Sequence, residues 1–285
     1  MNTKTKDAPR DIALLFTDFD GSCGVHGSIP DENAAAIARF LEGNPKRHAV
    51  IASARPHYSL REKIAQTILR NYSKQISISA FSGALSFFGE EVLNDNPLDR
   101  NLVRATGAAA QEICLGTFFF ASKNIYSPSD KRIIDLYNQS FRYGIVSDPM
   151  PSSEETYLLE LWKSKAADEK PFLALGSDPT GRTKTYNFRP LISNIPELDL
   201  LMHIMPAGIG KEHALGAYLK RMDLRPEQAM VIGDEANDIQ ALSTPGVLAV
   251  TFADATAAAR SIPGIYVAPP ARECGFAKAV NSLVT

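Results

Sequence analysis

Four short stretches hold the side chains whose types and spacing could do chemistry. Asp18-Phe19-Asp20-Gly21-Ser22 sets two carboxylates two residues apart. On an extended chain they point the same way and can serve one site until Gly21 turns the backbone. Gly233-Asp234-Glu235-Ala236-Asn237-Asp238 crowds three carboxylates into five residues, the hard oxygen donors a divalent cation takes. Ala52-Ser53-Ala54-Arg55-Pro56 offers a hydroxyl and backbone N–H groups to an anion. Gly208-Ile209-Gly210-Lys211 puts a lysine at the start of a predicted helix, where the helix dipole does not favour it.

Each stretch also has an ordinary reading. The first can be a strand-ending Asx turn, Ser53 a helix cap, Lys211 a solvated side chain, and the acidic run a helix N-terminus that gains from the dipole. Two sharper alternatives fail on position. A calcium loop starting at Asp18 would place its glycine on Cys23 and its bidentate glutamate on Ile29. A Walker A loop ending at Lys211 would need glycine at Met205 and Ser or Thr at Glu212. None of the histidines has a metal-pair spacing, and no G-x-S-x-G elbow occurs. His26 stands apart because it follows Asp20 closely in a glycine-rich loop.

The elements around these stretches read as α/β. Apolar runs predict strands over Ile12–Thr17, His48–Ser53 and Ile76–Phe81, with helices over Asn33–Leu41 and from Pro56 to Leu69. Runs that are apolar throughout, without alternation, fit a parallel sheet covered on both faces. Pro56 suits a first helical position, where a missing N–H costs nothing. The pattern resumes late, with strands over Leu201–Met205, Ala229–Ile232, Gly246–Val250 and Ile265–Val267. Helices are predicted from Lys211, over Asp238–Leu242, Ala255–Arg260 and Phe276–Leu283. Both carboxylate-bearing stretches thus fall at carboxyl ends of strands, where open α/β sheets bind ligands. Residues 90–200 are less regular, with aromatic strand candidates Thr117–Ala121 and Tyr186–Phe188, and read as an inserted α+β domain. The core is therefore expected over 1–89 and 201–285.

Composition narrows the function classes. With 30 basic and 32 acidic residues, the net charge of −2 supplies no field for nucleic acid. The longest apolar stretch, Ile113–Ala121, falls short of the ~18 residues of a membrane span. Three dispersed cysteines form neither a zinc pair nor a disulfide framework and fit a reducing, cytoplasmic setting. The polar segment Met1–Arg10 has no apolar h-region and reads as a loose tail. A soluble monomer or small homo-oligomer is expected.

Taken in order, Leu-Leu-Phe-Thr-Asp18-Phe-Asp20-Gly-Ser, Ala-Ser53-Ala-Arg-Pro, Gly-Ile-Gly-Lys211 and Val-Ile-Gly-Asp234-Glu-Ala-Asn237-Asp238 resemble the four motifs of the haloacid dehalogenase superfamily. Ser82-Gly83-Ala84, the long insert, and Glu273-Cys274-Gly275-Phe276-Ala277-Lys278-Ala279 look like its Cof-type branch, which includes sucrose-phosphate and mannosylphosphoglycerate phosphatases. Serines stand at 22 and 53 for the commoner threonines, alanine at 54 for glycine, and serine at 82 for asparagine. The resemblance implies a Rossmann-like doubly wound core with a C2-type cap over 90–200. It also implies a Mg²⁺-dependent phosphatase for a small phosphorylated metabolite, most naturally a sugar phosphate.

By the same resemblance, Asp18 is the nucleophile that forms an aspartyl-phosphate, and Asp20 the general acid and then the base. Ser53 and Lys211 hold the phosphoryl group, with Gly21 and Asn237 also at the substrate. Asp18, the main-chain carbonyl of Asp20, and Asp234 hold the metal, steadied by Asn237 and Asp238. Two alternatives remain open: a sugar phosphomutase of the phosphomannomutase type, and a binding protein on an inactive fold. The insert is expected to close over the site and choose the leaving group. Within it the polar hairpin Ser177–Asn187, with Arg182, Lys184 and Tyr186, is the candidate substrate contact, or else an exposed basic turn.

Overall fold

The computed structural model describes residues 11–141, 145, 154–178, 180–188 and 195–284, so the tail Met1–Arg10 lies outside the described residues. The chain opens with β1 (Leu14–Asp18), α1 (Asp31–Glu42), β2 (His48–Ala52), α2 (His57–Ala65), β3 (Ile76–Ala80), β4 (Leu85–Phe88) and β5 (Glu91–Asp95). There follow α3 (Arg100–Ile113), β6 (Gly116–Ala121), β7 (Ile125–Tyr126), α4 (Lys131–Phe141), β8 (Thr156–Ser164), α5 (Glu169–Leu175), β9 (Thr183–Phe188) and β10 (Leu198–Pro206). The chain closes with α6 (Lys211–Arg221), β11 (Ala229–Ile232), α7 (Ile239–Leu242), β12 (Leu248–Phe252), α8 (Ala257–Arg260), β13 (Tyr266–Ala268) and α9 (Gly275–Leu283).

These elements divide into two compact units. One comprises 1–55, 60–94 and 210–285, and the other 95–209 together with 56–59. In the first, eight strands run in the order β13-β12-β11-β1-β2-β3-β4-β5. The pairs from β13 through β3 are parallel, and β4 turns back antiparallel to β3. Every residue of β1, β2, β3 and β11 is buried, as continuous apolarity requires of strands covered on both faces. Helix α1 presents Ala34, Ile37, Phe40 and Leu41 to the core, and α9 presents Phe276, Val280 and Leu283. Their apolar stripes are the i, i+3, i+4 spacing of amphipathic helices. Across their outer edges Arg39 donates to Asn281 Oδ1 at 3.2 Å.

The strand order reverses at β1. From it the chain goes to β2 and β3 on one side, and later to β11, β12 and β13 on the other. Such a switch point opens a crevice at the carboxyl ends of the flanking strands. Asp18 ends β1, Ser53 follows β2, and Gly233-Asp234 follows β11.

The second unit is built on an antiparallel sheet ordered β7-β6-β8-β10-β9. Leu159 and Leu161 of β8 and Leu200, Met202 and Ile204 of β10 form a core with Val103 and Ala110 of α3 and Phe172 of α5. Alternate residues face the other way, where Phe118, Trp162 and Tyr137 of α4 stack with ring centroids 4.2 to 5.1 Å apart. Glu160 is buried beside them and is satisfied by Trp162 Nε1 at 2.7 Å and His203 Nε2 at 2.9 Å.

Two elements differ from the sequence reading. The strand expected over Leu201–Met205 as part of the core is β10, and it lies between β8 and β9 in the insert sheet. Its apolar run identifies a buried strand, but periodicity carries no information on which sheet receives it. The observed boundaries accordingly fall at 94/95 and 209/210 instead of 89/90 and 200/201. The helix expected from Pro56 to Leu69 stops at Ala65, because Thr67 accepts from Leu69 N at 3.2 Å and starts a separate 3-10 turn over Ile68–Tyr72.

Phe118→Ala removes the ring that packs against both Tyr137 and Trp162 and should cost the insert about 3–5 kcal/mol. Hydrogen exchange should then lose protection across β6, β8 and β10 while β1, β2 and β11 stay protected. Equal loss in both sheets would show that the two cores unfold as one.

Candidate active site

The lysine of Gly208-Ile209-Gly210-Lys211 is the first residue of α6 and only 1% exposed. Its ammonium donates to Asp18 Oδ1 and, at 2.6 Å, to Asp238 Oδ1. Asp18 is 6% and Asp238 2% exposed, so this three-membered ion network is cut off from solvent. A buried charge tolerates such a place only when paired and hydrogen-bonded. Asp238 Oδ2 also accepts from the backbone N–H groups of Asp234 and Glu235, at 3.2 and 3.1 Å, which fixes the loop after β11.

Asp234 completes the cluster. One oxygen each of Asp18, Asp234 and Asp238 lies within 4.8 Å of the other two. Ser22 Oγ donates to Asp234 Oδ1 at 3.0 Å, and Thr256 Oγ1 and N both donate to the Asp234 carbonyl at 3.0 Å. Glycines permit the close approach. At Gly21, where φ is +77°, a Cβ would stand 2.3 Å from Asp234 Oδ2, so no other residue fits without moving that carboxylate. Gly83, with φ +103°, lies so close to the Gly210 carbonyl that a Cβ would meet its oxygen at 2.3 Å.

Asp20 goes elsewhere. Its side chain is 49% exposed and forms a two-pronged ion pair with Arg55, Nε to Oδ2 at 2.6 Å and Nη2 to Oδ1 at 2.7 Å. Ser53, 2% exposed, accepts from Arg55 N at 3.1 Å. That contact is a local turn ahead of α2, which begins only at His57, so Ser53 does not cap the helix, and its hydroxyl proton is left to be donated. The Ser53 carbonyl accepts from Ser82 N at 2.8 Å. Asn237 Nδ2 reaches Ser82 Oγ at 3.5 Å. Phe81 and Ser82 both hold positive φ, near +50°, in the turn that makes these contacts. His26 lines a cavity of about 270 Å³ with Gly21, Asp234, Asp254 and Arg272.

The electrostatics follow from burial. Three carboxylates face one ammonium, so two negative charges are in excess if all four groups ionise. Burial raises Asp18 well above the usual carboxylate range, Lys211 partly offsets this, and Asp238 and Asp234 add to it. Burial and then Asp238 push Asp234 from 3.8 up to about 8, against the Ser22 hydrogen bond and Lys211. Burial alone would lower Lys211, but Asp18 and Asp238 outweigh it and hold the ammonium above its ordinary value. The surplus therefore falls on Asp18 and Asp234. A divalent cation would cancel two charges, and hard carboxylate oxygens are the donors Mg²⁺ prefers. The donor set fits that ion.

The structure thus brings together Asp18, Gly21, Lys211 and Asp234 from the sequence reading, with Asp238 as the second acceptor of Lys211. Ser53 and Asn237 meet through Ser82. Asp20 sits apart on its arginine. Sequence reasoning quoted Arg55 inside a motif without giving it a role, and Thr256 carried no signal because it lies far along the chain from Asp234.

The family model described as haloacid dehalogenase-like hydrolase matches residues 15–279. A Mycoplasma genitalium protein, MG265, whose name provisionally assigns it as a phosphatase, is 21% identical over 247 residues, 81% of this chain and 84% of that protein. Among solved structures, TM0651 of Thermotoga maritima superposes with a TM-score of 0.77 at 19% identity, covering 96% of this chain and 98% of that one. A structure described as the HAD subclass IIB sugar phosphatase BT4131 gives 0.74 at 19% identity, covering 94% and 97%. At such identities the superpositions establish the fold.

Raised carboxylates make the cluster sensitive to pH. A carboxyl group that holds its proton more tightly when folded stabilises the fold at low pH, and that contribution is lost as pH rises from about 4 through about 8. Mg²⁺ held by these carboxylates would compete with those protons. Its stabilisation of the folded protein, about 2.7 kcal/mol at a hundredfold excess over Kd, should grow from pH 5.5 to pH 8. Thermal melts with and without Mg²⁺ at both values test this. A shift that shrinks or vanishes at pH 8 would show that the cluster does not hold the ion.

Proposed function

The chain belongs to the haloacid dehalogenase-like hydrolase family and is a phosphatase, and from that premise we propose that it hydrolyses a small phosphorylated metabolite, a sugar phosphate by preference, through an aspartyl-phosphate. The observation that carries this reading is Lys211, buried and shared between Asp18 and Asp238 beside Asp234. A phosphate monoester dianion repels a carboxylate nucleophile, so attack needs positive charge already in place.

Asp18 and Asp234, with Asp238 alongside and the Asp20 carbonyl by resemblance, would hold Mg²⁺. When bound, the ion neutralises phosphoryl oxygens and orients the ester for in-line displacement. The chain's own residues do the rest. Lys211 neutralises the anion and keeps Asp18 in place. Ser53 donates its hydroxyl to a phosphoryl oxygen, near Asn237. An Asp18 oxygen bonds phosphorus as the ester bond breaks, and Asp20 gives the departing oxygen its proton. Asp20 then takes a proton from water, whose oxygen attacks phosphorus as the Asp18–phosphorus bond breaks and inorganic phosphate forms. Gly21 lets the chain pass Asp234 without displacing it.

We assign leaving-group selection to the 95–209 unit. Its chain connections support this, because it rejoins the core at Gly210, directly before Lys211. Arg182 there pairs with Asp99 at 3.5 Å and Asp178 at 3.6 Å, and Lys184 Nζ lies 5.3 Å from the Tyr186 ring centroid. A cytoplasmic setting is part of the proposal. It rests on the three unpaired thiols and on the lack, among the described residues, of a helix long and apolar enough to cross a membrane.

Asp18→Asn should abolish phosphate release under saturating Mg²⁺, since an amide is a poor nucleophile. Asp20→Asn should lose turnover but keep Mg²⁺ affinity, and accumulate phosphoenzyme from an activated aryl phosphate. Activity of Asp18→Asn within tenfold of wild type would exclude the covalent route.

A second measurement addresses substrate choice. A panel of phosphorylated sugars and other small metabolites should identify a sugar phosphate as best. Arg182→Ala, Lys184→Ala and Tyr186→Ala should then each lower kcat/KM for it by about tenfold or less per lost contact while sparing a generic aryl phosphate. Equal losses on both substrates, or none, would remove this hairpin from substrate recognition.

A further inference from the structure

Asp20 has a task that its exposure makes difficult. A proton-transfer group must hold one orientation, yet its side chain is 49% exposed on a loop leaving β1. Exposed carboxylates rotate freely, and most exposed ion pairs add little. This pair differs in geometry. Two parallel N–H···O bonds of 2.6 and 2.7 Å lock the plane of the carboxylate to the plane of a guanidinium, the arrangement that adds both strength and direction.

The arginine is itself anchored. Its side chain is 13% exposed, and Arg55 Cζ stands 5.2 Å from the centroid of the fully buried Phe19 ring. Its backbone N donates to Ser53 Oγ at 3.1 Å, and its carbonyl accepts from Phe81 N at 3.2 Å. Phe19 in turn is fixed by its own N–H to Ala52 O at 3.1 Å and by its carbonyl, which accepts from Gly24 N at 2.6 Å. Arg55 thus ties the proton-transfer carboxylate to the phosphate-side serine and to the β3 turn.

We propose that Arg55 is a positioning residue for the second half-reaction: it holds Asp20 as an oriented carboxylate that takes the proton from the attacking water. The inference rests on the aspartyl-phosphate reading above. The bond changes are those of dephosphorylation. Water loses a proton to Asp20, its oxygen bonds phosphorus, the Asp18–phosphorus bond breaks, and inorganic phosphate departs. The first half-reaction with an activated leaving group needs no proton from Asp20. Arg55 matters to that step far less.

The test is rapid mixing with 4-nitrophenyl phosphate and Mg²⁺, comparing wild type, Arg55→Ala and Arg55→Lys. In Arg55→Ala the first equivalent of nitrophenolate should form within threefold of the wild-type rate, while steady turnover falls about 10- to 100-fold, within the range general-base catalysis supplies. Radiolabelled phosphate from labelled substrate should remain on the protein. Arg55→Lys, which keeps the charge but not the fork, should fall between, and added guanidinium should restore part of the turnover of Arg55→Ala. A steady rate within threefold of wild type would overturn the proposal. So would equal slowing of both phases, or a rise in KM alone, in Arg55→Lys as well as Arg55→Ala. If the covalent reading itself is wrong, wild type holds no phosphate and Asp18→Asn stays active, whatever Arg55 does.

Discussion

One buried lysine against three carboxylates, two of them buried and Asp234 partly so, is the constraint on which the rest of the site depends. Lys211 satisfies Asp18 and Asp238 at once and, among the described residues, leaves Asp234 without a cation of its own. Isolated buried charges of this kind are expensive, and a protein keeps them only where the deficit has a use. Here the deficit equals the charge of one divalent ion, and the groups that carry it end two neighbouring parallel strands. The switch in strand order at β1 is what allows both to converge. Without the β1/β11 pairing, Asp18 and Asp234, more than two hundred residues apart, would share no site.

Close approach explains why glycine and left-handed backbone gather here. Gly21 and Gly83 sit where any side chain would strike Asp234 or the Gly210 carbonyl, and Phe81 and Ser82 adopt positive φ without glycine's freedom. Residues held in sparsely populated conformations persist where surrounding contacts over-determine them. The contacts are visible: Phe81 N to Arg55 O, Ser82 N to Ser53 O, and Gly83 against the residue before Lys211. The turn transmits the position of β3 to both the serine and the lysine.

Much of this was legible in the sequence, and its limits have a physical cause. Asp18, Ser53 and Asp234 were readable because each directly follows a continuous apolar run, so local order alone put them at strand ends. Lys211 was readable as a charge against the helix dipole. The pairing of Asp20 with Arg55 was not, because thirty-five residues separate them and neither departs from its own local pattern. Leu198–Pro206 shows the same limit at the level of elements. Its apolar run predicts a strand, but only the registers with β8 and β9 put that strand in the insert. Local periodicity reports burial, and topology decides against what.

The two aspartates of Asp18-Phe19-Asp20 differ in environment as the tasks proposed for them would require. A nucleophile that attacks a dianion gains from a dry, positively biased setting, and Asp18 is 6% exposed against the Lys211 ammonium. A group that must pass protons between a leaving oxygen and water needs contact with solvent, and Asp20 is half exposed. The intervening Phe19 makes the separation possible. Its ring is fully buried, so the chain is pinned between the two carboxylates, and Gly21 then turns the backbone away. Two residues of the same type, two positions apart, acquire opposite surroundings because one ends a buried strand and the other begins a loop. The same pinned ring supports Arg55, so a single apolar anchor both isolates the proposed nucleophile and orients the proposed proton carrier.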